Sequence, residues 1–101
     1  MKRFPEDLRF VVNVKSGEPY DVYVGRPSRW GNPWRIGVDG TREEVIAYYE
    51  NDLRAGLFLD KQLREDVKAL AGKRLGCWCA PKPCHAEILV QYARELKEGV
   101  F

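Results

Sequence analysis

The sequence lacks any run of eighteen apolar residues, which is about the length that a helix needs to cross a bilayer. Its first residues carry charge and a proline, where a secretory signal would need an uninterrupted apolar stretch. We therefore expect a cytoplasmic protein with no membrane partner. Because 101 residues suit one hydrophobic core, we also expect residues 1–101 to form a single domain.

Cysteine and histidine are scarce, and the few that occur lie together. Cys77, Cys79 and Cys84 fall within eight positions, and the one histidine, His85, follows directly. An odd number of crowded cysteines argues against a scaffold of disulfides. Since the sequence shows neither a P-loop nor paired catalytic carboxylates, this Cys/His cluster contains the only obvious groups for covalent or acid/base chemistry.

The net charge of +2 is too small to indicate a general nucleic-acid binder, but the charge is unevenly distributed. Residues 25–38 include three arginines and no acid, and residues 72–86 include three basic residues and no acid. The carboxylates lie between and after these segments. Two stretches of the chain are therefore candidates for contact with an anion.

Hydrophobic patterning predicts an α/β fold in which a small sheet of about three strands is covered by about three helices. The expected order is β-β-α-α-β-α. Two strands, joined as a hairpin by turn-forming residues, are expected at 10–14 and 20–24, and a buried third strand at 75–79. Helices are expected at about 42–55, from about 60 to 72, and at 84–98.

Local signals mark the ends of the predicted helices. Thr41 with Glu44 forms the pattern of a capping box at the start of the first helix. Gly72 and Gly99 stand where the second and third helices should end in a left-handed residue.

Two segments with unusual side chains follow predicted strands. Residues 25–34, here called the Arg/Trp loop, follow the second strand, and the Cys/His cluster follows the third. Ligand sites of open α/β sheets collect outside the carboxyl ends of strands. If the second and third strands are parallel, both segments lie at the same edge, and we expect one common site there.

The Arg/Trp loop combines the groups that hold a nucleotide-like anion. Guanidinium groups match phosphate or carboxylate oxygens, tryptophan rings stack on bases, glycine allows close approach, and an asparagine amide can bind a polar edge. Alternatively, the tryptophans close the end of the sheet as core and the arginines stack on them and face water. The candidate ligand-binding residues are Gly25, Arg26, Arg29, Trp30, Gly31, Asn32 and Trp34.

The Cys/His cluster has three interpretations. Cys77, Cys79, Cys84 and His85 are a ligand set for zinc, although the Cys-x-Cys spacing is tight and adjacent ligands diverge. Alternatively, Cys84 at a helix N-terminus is a catalytic thiolate, with His85 as base and Cys79 as a resolving partner, or it lines a phosphate site. In the third interpretation these residues are merely buried. The sequence favours none of them.

Two motifs make the chain resemble a known family. They are Gly-Arg-Pro-Ser-x-Trp-Gly-Asn-Pro at residues 25–33 and Gly-Cys-Trp-Cys-x-Pro-x-x-Cys-His at residues 76–85. The chain is similar, from about Val11 to about Tyr92, to small proteins of bacteria, archaea and phages that are catalogued as a domain of unknown function. The resemblance implies that both motifs form one site, and it supplies no activity, substrate or cofactor.

The resulting hypothesis is a protein that binds a small anionic, nucleotide-like ligand and modifies it if Cys84 and His85 are reactive. The alternative is a non-enzymatic module in which a structural zinc ion stabilises the fold and the basic loop binds nucleic acid or a partner protein. A third hypothesis is a purely structural or inhibitory protein. The sequence predicts no oligomeric state.

Overall fold

A computed structural model describes residues 3–100, and within them it confirms a small α/β fold. One sheet of three short parallel strands is covered by helices. In chain order the elements are α1 (Pro5–Leu8), β1 (Val11–Asn13), a 3₁₀ helix (Val14–Ser16), β2 (Val22–Tyr23), α2 (Arg42–Leu59), α3 (Lys61–Lys68), β3 (Leu75–Cys77) and α4 (His85–Glu98).

The predicted hairpin between the first two strands is wrong. β3 lies between β1 and β2 and pairs with both in parallel, so that Leu75 is opposite Val11 on one side and Val22 on the other. Every residue of β3 is buried, and its backbone groups therefore need hydrogen-bonding neighbours on both edges. The first two strands supply those edges instead of pairing with each other.

The helix starts follow the sequence signals, but α2 is longer than predicted and α3 is shorter, ending at Lys68 before Gly72. The Thr41 and Glu44 side chains form the expected capping box. The helix continues through Gly56 to Leu59. A Cβ at Gly56 would lie 2.7 Å from the Leu63 side chain on α3. This glycine permits close packing between two helices and does not end one. Asp60 then caps α3.

α4 is the most deeply packed helix and contacts α2, α3 and β3. It begins at His85, one residue later than predicted, with Cys84 as its N-cap, and it ends as expected at Gly99, whose φ is 77°. Among residues 3–100, no helix is both long and apolar enough to span a membrane. The largest fully buried side chains of the core are Leu57, Leu75, Leu89, Val24, Val67, Cys77 and Cys84.

Candidate functional site

A cavity of about 340 Å³ opens at the carboxyl ends of β2 and β3. Residues of the Arg/Trp loop, the beginning of α2 and the Cys/His cluster line it. The parallel pairing of β2 with β3 brings these segments to one edge of the sheet. Arg26 and Cys84, which are far apart in the chain, therefore line a common cavity.

The walls of this cavity are cationic. Arg26, Arg35 and Arg42 line it, whereas no aspartate or glutamate does so in the part of the chain that the structure describes. Arg42 donates to the Pro83 carbonyl at 3.2 Å and hydrogen-bonds the sulfur of Cys79. The guanidinium groups of Arg26 and Arg35 make no hydrogen bond or ion pair within residues 3–100, so both are available to a ligand.

Three of the candidate ligand-binding residues, Arg29, Trp30 and Gly31, lie outside the cavity wall. Trp30 is only 9% exposed and packs in the core, where its carbonyl accepts from the Tyr49 hydroxyl at 2.8 Å. The Arg29 guanidinium stacks on the Trp30 ring at 4.5 Å and pairs with Asp66 at 2.9 Å. For this pair the structure follows the alternative interpretation, in which tryptophan closes the end of the sheet and arginine covers it.

Asn32 lines the cavity, but its amide is used within the protein. Its Nδ2 donates to the Val45 carbonyl at 3.0 Å, and its Oδ1 accepts from the backbone N–H of Trp34 at 3.0 Å. Because the side chain is buried and both of its polar atoms are bonded, Asn32 fixes the loop to α2.

The two loop glycines are required by close packing. A Cβ at Gly31 would lie 2.9 Å from Cγ of Arg26, and a Cβ at Gly25 would clash with the Tyr23 ring. The Tyr23 hydroxyl donates to the Arg26 carbonyl at 2.6 Å and accepts from Nε1 of Trp78 at 2.8 Å. Tyr23, which the sequence did not single out, thus joins the ends of β2 and β3 and holds Arg26 in place.

Trp34 and Trp78 present partly exposed rings at the cavity. They are 37% and 54% exposed, respectively. The indole N–H of Trp34 donates to Asp52 at 2.9 Å, and its ring meets Tyr48 edge to face. Since hydrogen bonds hold both indoles, their faces stay at the rim.

His85 is fixed by the backbone of the strand edge. Its Nε2 lies 2.7 Å from the Val24 carbonyl, which can only accept, so Nε2 carries the hydrogen. Nδ1 then directs its lone pair to the sulfur of Cys84 at 3.4 Å. Burial lowers the pKa of His85, which keeps the ring neutral.

The three cysteines form a network of sulfur contacts centred on Cys84. As the N-cap of α4, the Cys84 sulfur accepts from the Ala86 N–H at 3.5 Å, and it is also hydrogen-bonded to Cys77 and Cys79. Cys77 and Cys84 are each 1% exposed, whereas Cys79 is half-buried. Cys79 is therefore the cysteine that a ligand can reach.

The surroundings make Cys79 the stronger acid and Cys84 the weaker one. A hydrogen bond from Cys84, assisted by Arg42 and by the charge of Arg26, lowers the pKa of Cys79 to about 5. Hydrogen bonding with the sulfurs of Cys77 and Cys79, together with burial, raises the pKa of Cys84 far above the ordinary value. The hydrogen bond from Cys84 also lowers the pKa of Cys77, to about 7. The helix terminus suggested Cys84 as the thiolate, but the arginines lie beside Cys79.

The predicted zinc ligands are not arranged around a common point. Throughout residues 3–100, no group of three or more cysteine, histidine or carboxylate side chains could hold a metal ion. One ring nitrogen of His85 is bonded to a backbone carbonyl, and the other faces the adjacent Cys84. Zinc at Cys77, Cys79, Cys84 and His85 stays a prediction without geometric support.

Three of the cavity-lining residues that were absent from the candidate set carry a charge or an aromatic ring, namely Arg35, Arg42 and Trp78. Arg35 belongs to the acid-free stretch, so the charge pattern alone was sufficient to suggest it. Arg42 looked like an ordinary first residue of a helix, and Trp78 looked like the outer face of a strand. β3 ends at Cys77, however, and the turn that follows brings Trp78 to the cavity.

Together the fold and the site define a small α/β protein with a cationic, cysteine-bearing cavity at the carboxyl ends of parallel strands. The chain belongs to the family described as "Domain of unknown function (DUF4326)", which matches residues 12–95. This finding confirms the family resemblance seen in the sequence.

Two viral relatives are similar along most of their length. Over 92 residues the chain is 36% identical to an "Uncharacterized 12.4 kDa protein in nrdA-td intergenic region" of Enterobacteria phage T4, covering 90% of this chain and 82% of that protein. It is 28% identical over 100 residues to an uncharacterised protein of Acanthamoeba polyphaga mimivirus, covering 80% and 72%. No solved structure matches the chain. These relatives assign no activity.

Proposed function

We propose that the cavity binds a small anionic ligand of the nucleotide type. The observation that carries this proposal is the convergence of Arg26, Arg35 and Arg42 on one cavity that no described carboxylate lines. Cations that are brought together without acids repel one another, and a bound anion relieves that repulsion. The guanidinium groups of Arg26 and Arg35 form no hydrogen bond or ion pair among residues 3–100, so they can form bidentate bonds to phosphate oxygens.

The rim supports a ligand that has an aromatic ring as well as an anionic group. Trp34 and Trp78 present held indole faces beside the arginines. Stacking of a base on such a face contributes about 1–3 kcal/mol and tolerates different bases. This arrangement assigns the stacking role to Trp34 and Trp78 in place of Trp30.

The size of the cavity favours a small molecule. Its volume of about 340 Å³ lies near the lower end of the range of small-molecule sites, about 300–1,000 Å³. The low net charge of +2 also provides little attraction for a long polyanion. We therefore expect mononucleotides to bind in preference to oligonucleotides.

Thermal unfolding with a panel of ligands tests the proposal. Nucleoside mono-, di- and triphosphates, inorganic phosphate and single-stranded oligonucleotides are added to the wild type, Arg26→Ala and Arg35→Ala. A bound nucleotide should raise the unfolding temperature of the wild type and have a weaker effect on both variants. Arg54→Ala is the matched control, because Arg54 is exposed on α2 outside the cavity. If no ligand changes the wild type, or if Arg54→Ala loses as much stabilisation, the proposal is wrong.

A further inference from the structure

We propose that this cavity also performs thiol–disulfide exchange with small anionic disulfides, with Cys79 as the attacking thiolate and Cys84 as the resolving thiol. The inference uses the same cationic wall as the proposed nucleotide site, but it does not require that a nucleotide binds. It assigns the reactive role to Cys79, and it changes that of Cys84 from first nucleophile to partner.

The first step rests on the accessibility of Cys79. All three cysteines line the cavity, but Cys79 is half-buried whereas Cys77 and Cys84 are buried. Arg42 hydrogen-bonds its sulfur, and the same guanidinium is anchored on the Pro83 carbonyl. A fixed cation next to a reachable sulfur favours the thiolate, which is the nucleophilic form. The lowered pKa of Cys79 agrees with this geometry.

The second step rests on the position of Cys84. Its sulfur hydrogen-bonds that of Cys79, so an adduct on Cys79 forms beside a second thiol. Cys84 is held as the N-cap of α4 and needs no access to solvent to attack a neighbouring sulfur. Cys77 also contacts Cys84, but its hydrogen bond with Cys79 involves the backbone of that residue and not its sulfur. Cys84 is therefore the better resolving residue.

The reaction balances in two steps. The Cys79 thiolate attacks one sulfur of a disulfide RS–SR, and the S–S bond breaks. RS⁻ is released, and Cys79 is now part of a mixed disulfide with the other RS group. Cys84 then gives its proton to Nδ1 of His85, 3.4 Å away, and its sulfur attacks that of Cys79. A second RS⁻ leaves, and Cys79 and Cys84 are joined. The small disulfide gains two electrons, the protein loses two, and the proton passes from His85 to solvent.

The walls of the cavity select the substrate by charge. Arg26, Arg35 and Arg42 line the same cavity as Cys79, and no carboxylate among residues 3–100 lines it. An anionic disulfide is concentrated in such a cavity, whereas a neutral one is not. The exposed faces of Trp34 and Trp78 add a preference for aromatic substituents.

The test compares two aromatic disulfides that differ in charge. Fully reduced protein is mixed with the dianionic dithiobis(nitrobenzoate) or with neutral dithiodipyridine, and chromophore release is followed by stopped flow. We define the charge preference as the rate with the dianionic disulfide divided by the rate with the neutral one. The charge preference of the folded protein should be on the order of ten times that of the urea-unfolded chain. Arg35→Ala should reduce this ratio, and Arg54→Ala should leave it unchanged.

Cysteine variants assign the two roles. Cys79→Ser should lose the fast phase. Cys84→Ser should keep it but retain the nitrothiobenzoate adduct, which intact mass spectrometry detects. Peptide mapping of the oxidised wild type, which needs no variant to fold, should identify a Cys79–Cys84 disulfide.

Three results would overturn the inference. They are a fast phase that persists in Cys79→Ser, a Cys77–Cys84 disulfide as the main product in the wild type, and a charge preference no greater than that of the unfolded chain. A failure of the nucleotide proposal is recognised separately, because it removes thermal stabilisation by nucleotides without changing these rates. If both proposals hold, a bound nucleotide should slow the reaction with dithiobis(nitrobenzoate).

Discussion

The two walls of the cavity are built differently. The wall that carries Arg26 and Arg35 is exposed and is held by a few specific hydrogen bonds, such as those of Asn32 and Tyr23. The opposite wall belongs to the core, because Cys77 and Cys84 are among its fully buried side chains. The charged wall can therefore change without loss of the fold, whereas the cysteine wall is part of the structure that supports it.

The largest effect is expected where the cysteine wall meets the core. Leu89→Ala removes a fully buried side chain from α4 and should lower the free energy of unfolding by about 2–5 kcal/mol. Arg35→Ala, on the charged wall, should change it by less than about 0.5 kcal/mol. Urea unfolding measures both. If Leu89→Ala and Arg35→Ala lowered the free energy of unfolding by the same amount, the two walls would not differ in their contribution to stability.

The next effect concerns the thiolate where the two walls meet. Because the pKa of Cys79 is lowered to about 5, its thiolate should persist as the pH falls from about 8 to about 6, and its alkylation rate should stay nearly constant. An ordinary thiol, with a pKa of about 8.5, slows about tenfold for each unit over most of this range.

Three groups set this pH dependence, each from a different element: Arg42 on α2, Arg26 after β2 and Cys84 before α4. Arg42→Ala should therefore raise the midpoint of the alkylation profile of Cys79, as measured by iodoacetamide labelling and peptide mass spectrometry. Arg54→Ala should not move it. If the midpoint of the wild-type profile lies at the ordinary pKa of a thiol, these three groups do not lower the pKa of Cys79.

A smaller effect is expected at the main anchor of the charged wall. Asn32→Ala leaves the Val45 carbonyl and the Trp34 N–H without their partner and should cost about 1–3 kcal/mol of stability. It should also weaken nucleotide binding, because the loop loses its attachment to α2. Asn51→Ala, at an exposed position of α2, is the control and should be near neutral. A neutral Asn32→Ala would mean that other contacts hold the loop.

The smallest effect is expected from metal removal. Since the cysteine wall is held by sulfur hydrogen bonds and core packing, a chelator should leave the unfolding temperature unchanged. Elemental analysis of the purified protein provides the second measurement. One zinc per chain together with unfolding by the chelator would instead make the cysteine wall a metal site.

The helices could be predicted because their signals are local. The capping box of Thr41 and Glu44 and the left-handed Gly99 each involve groups a few positions apart. Strand pairing could not be predicted in the same way, because the burial of β3 decides it and that burial depends on the whole fold. The hairpin prediction failed for this reason.

The site was predicted in its location but only partly in its members. The order of strands and loops, together with the rule for parallel sheets, was sufficient to expect Arg26 and Cys84 near each other. Trp30 and Arg29 were included because side-chain type does not reveal which ring enters the core. Arg42 was missed because a helix start gives no indication of which cavity its side chain faces.

The sequence by itself determined the α/β class, the helix caps at Thr41 and Gly99 and the two segments that line the cavity, because patterning, caps and motif spacing act over short stretches of chain. The tertiary structure alone decided which strands pair, which tryptophans face outward and which cysteine has the most strongly lowered pKa. Each of those outcomes depends on neighbours that are distant in the sequence. Cys79 owes its lowered pKa to Arg42, Arg26 and Cys84, which only the fold brings together.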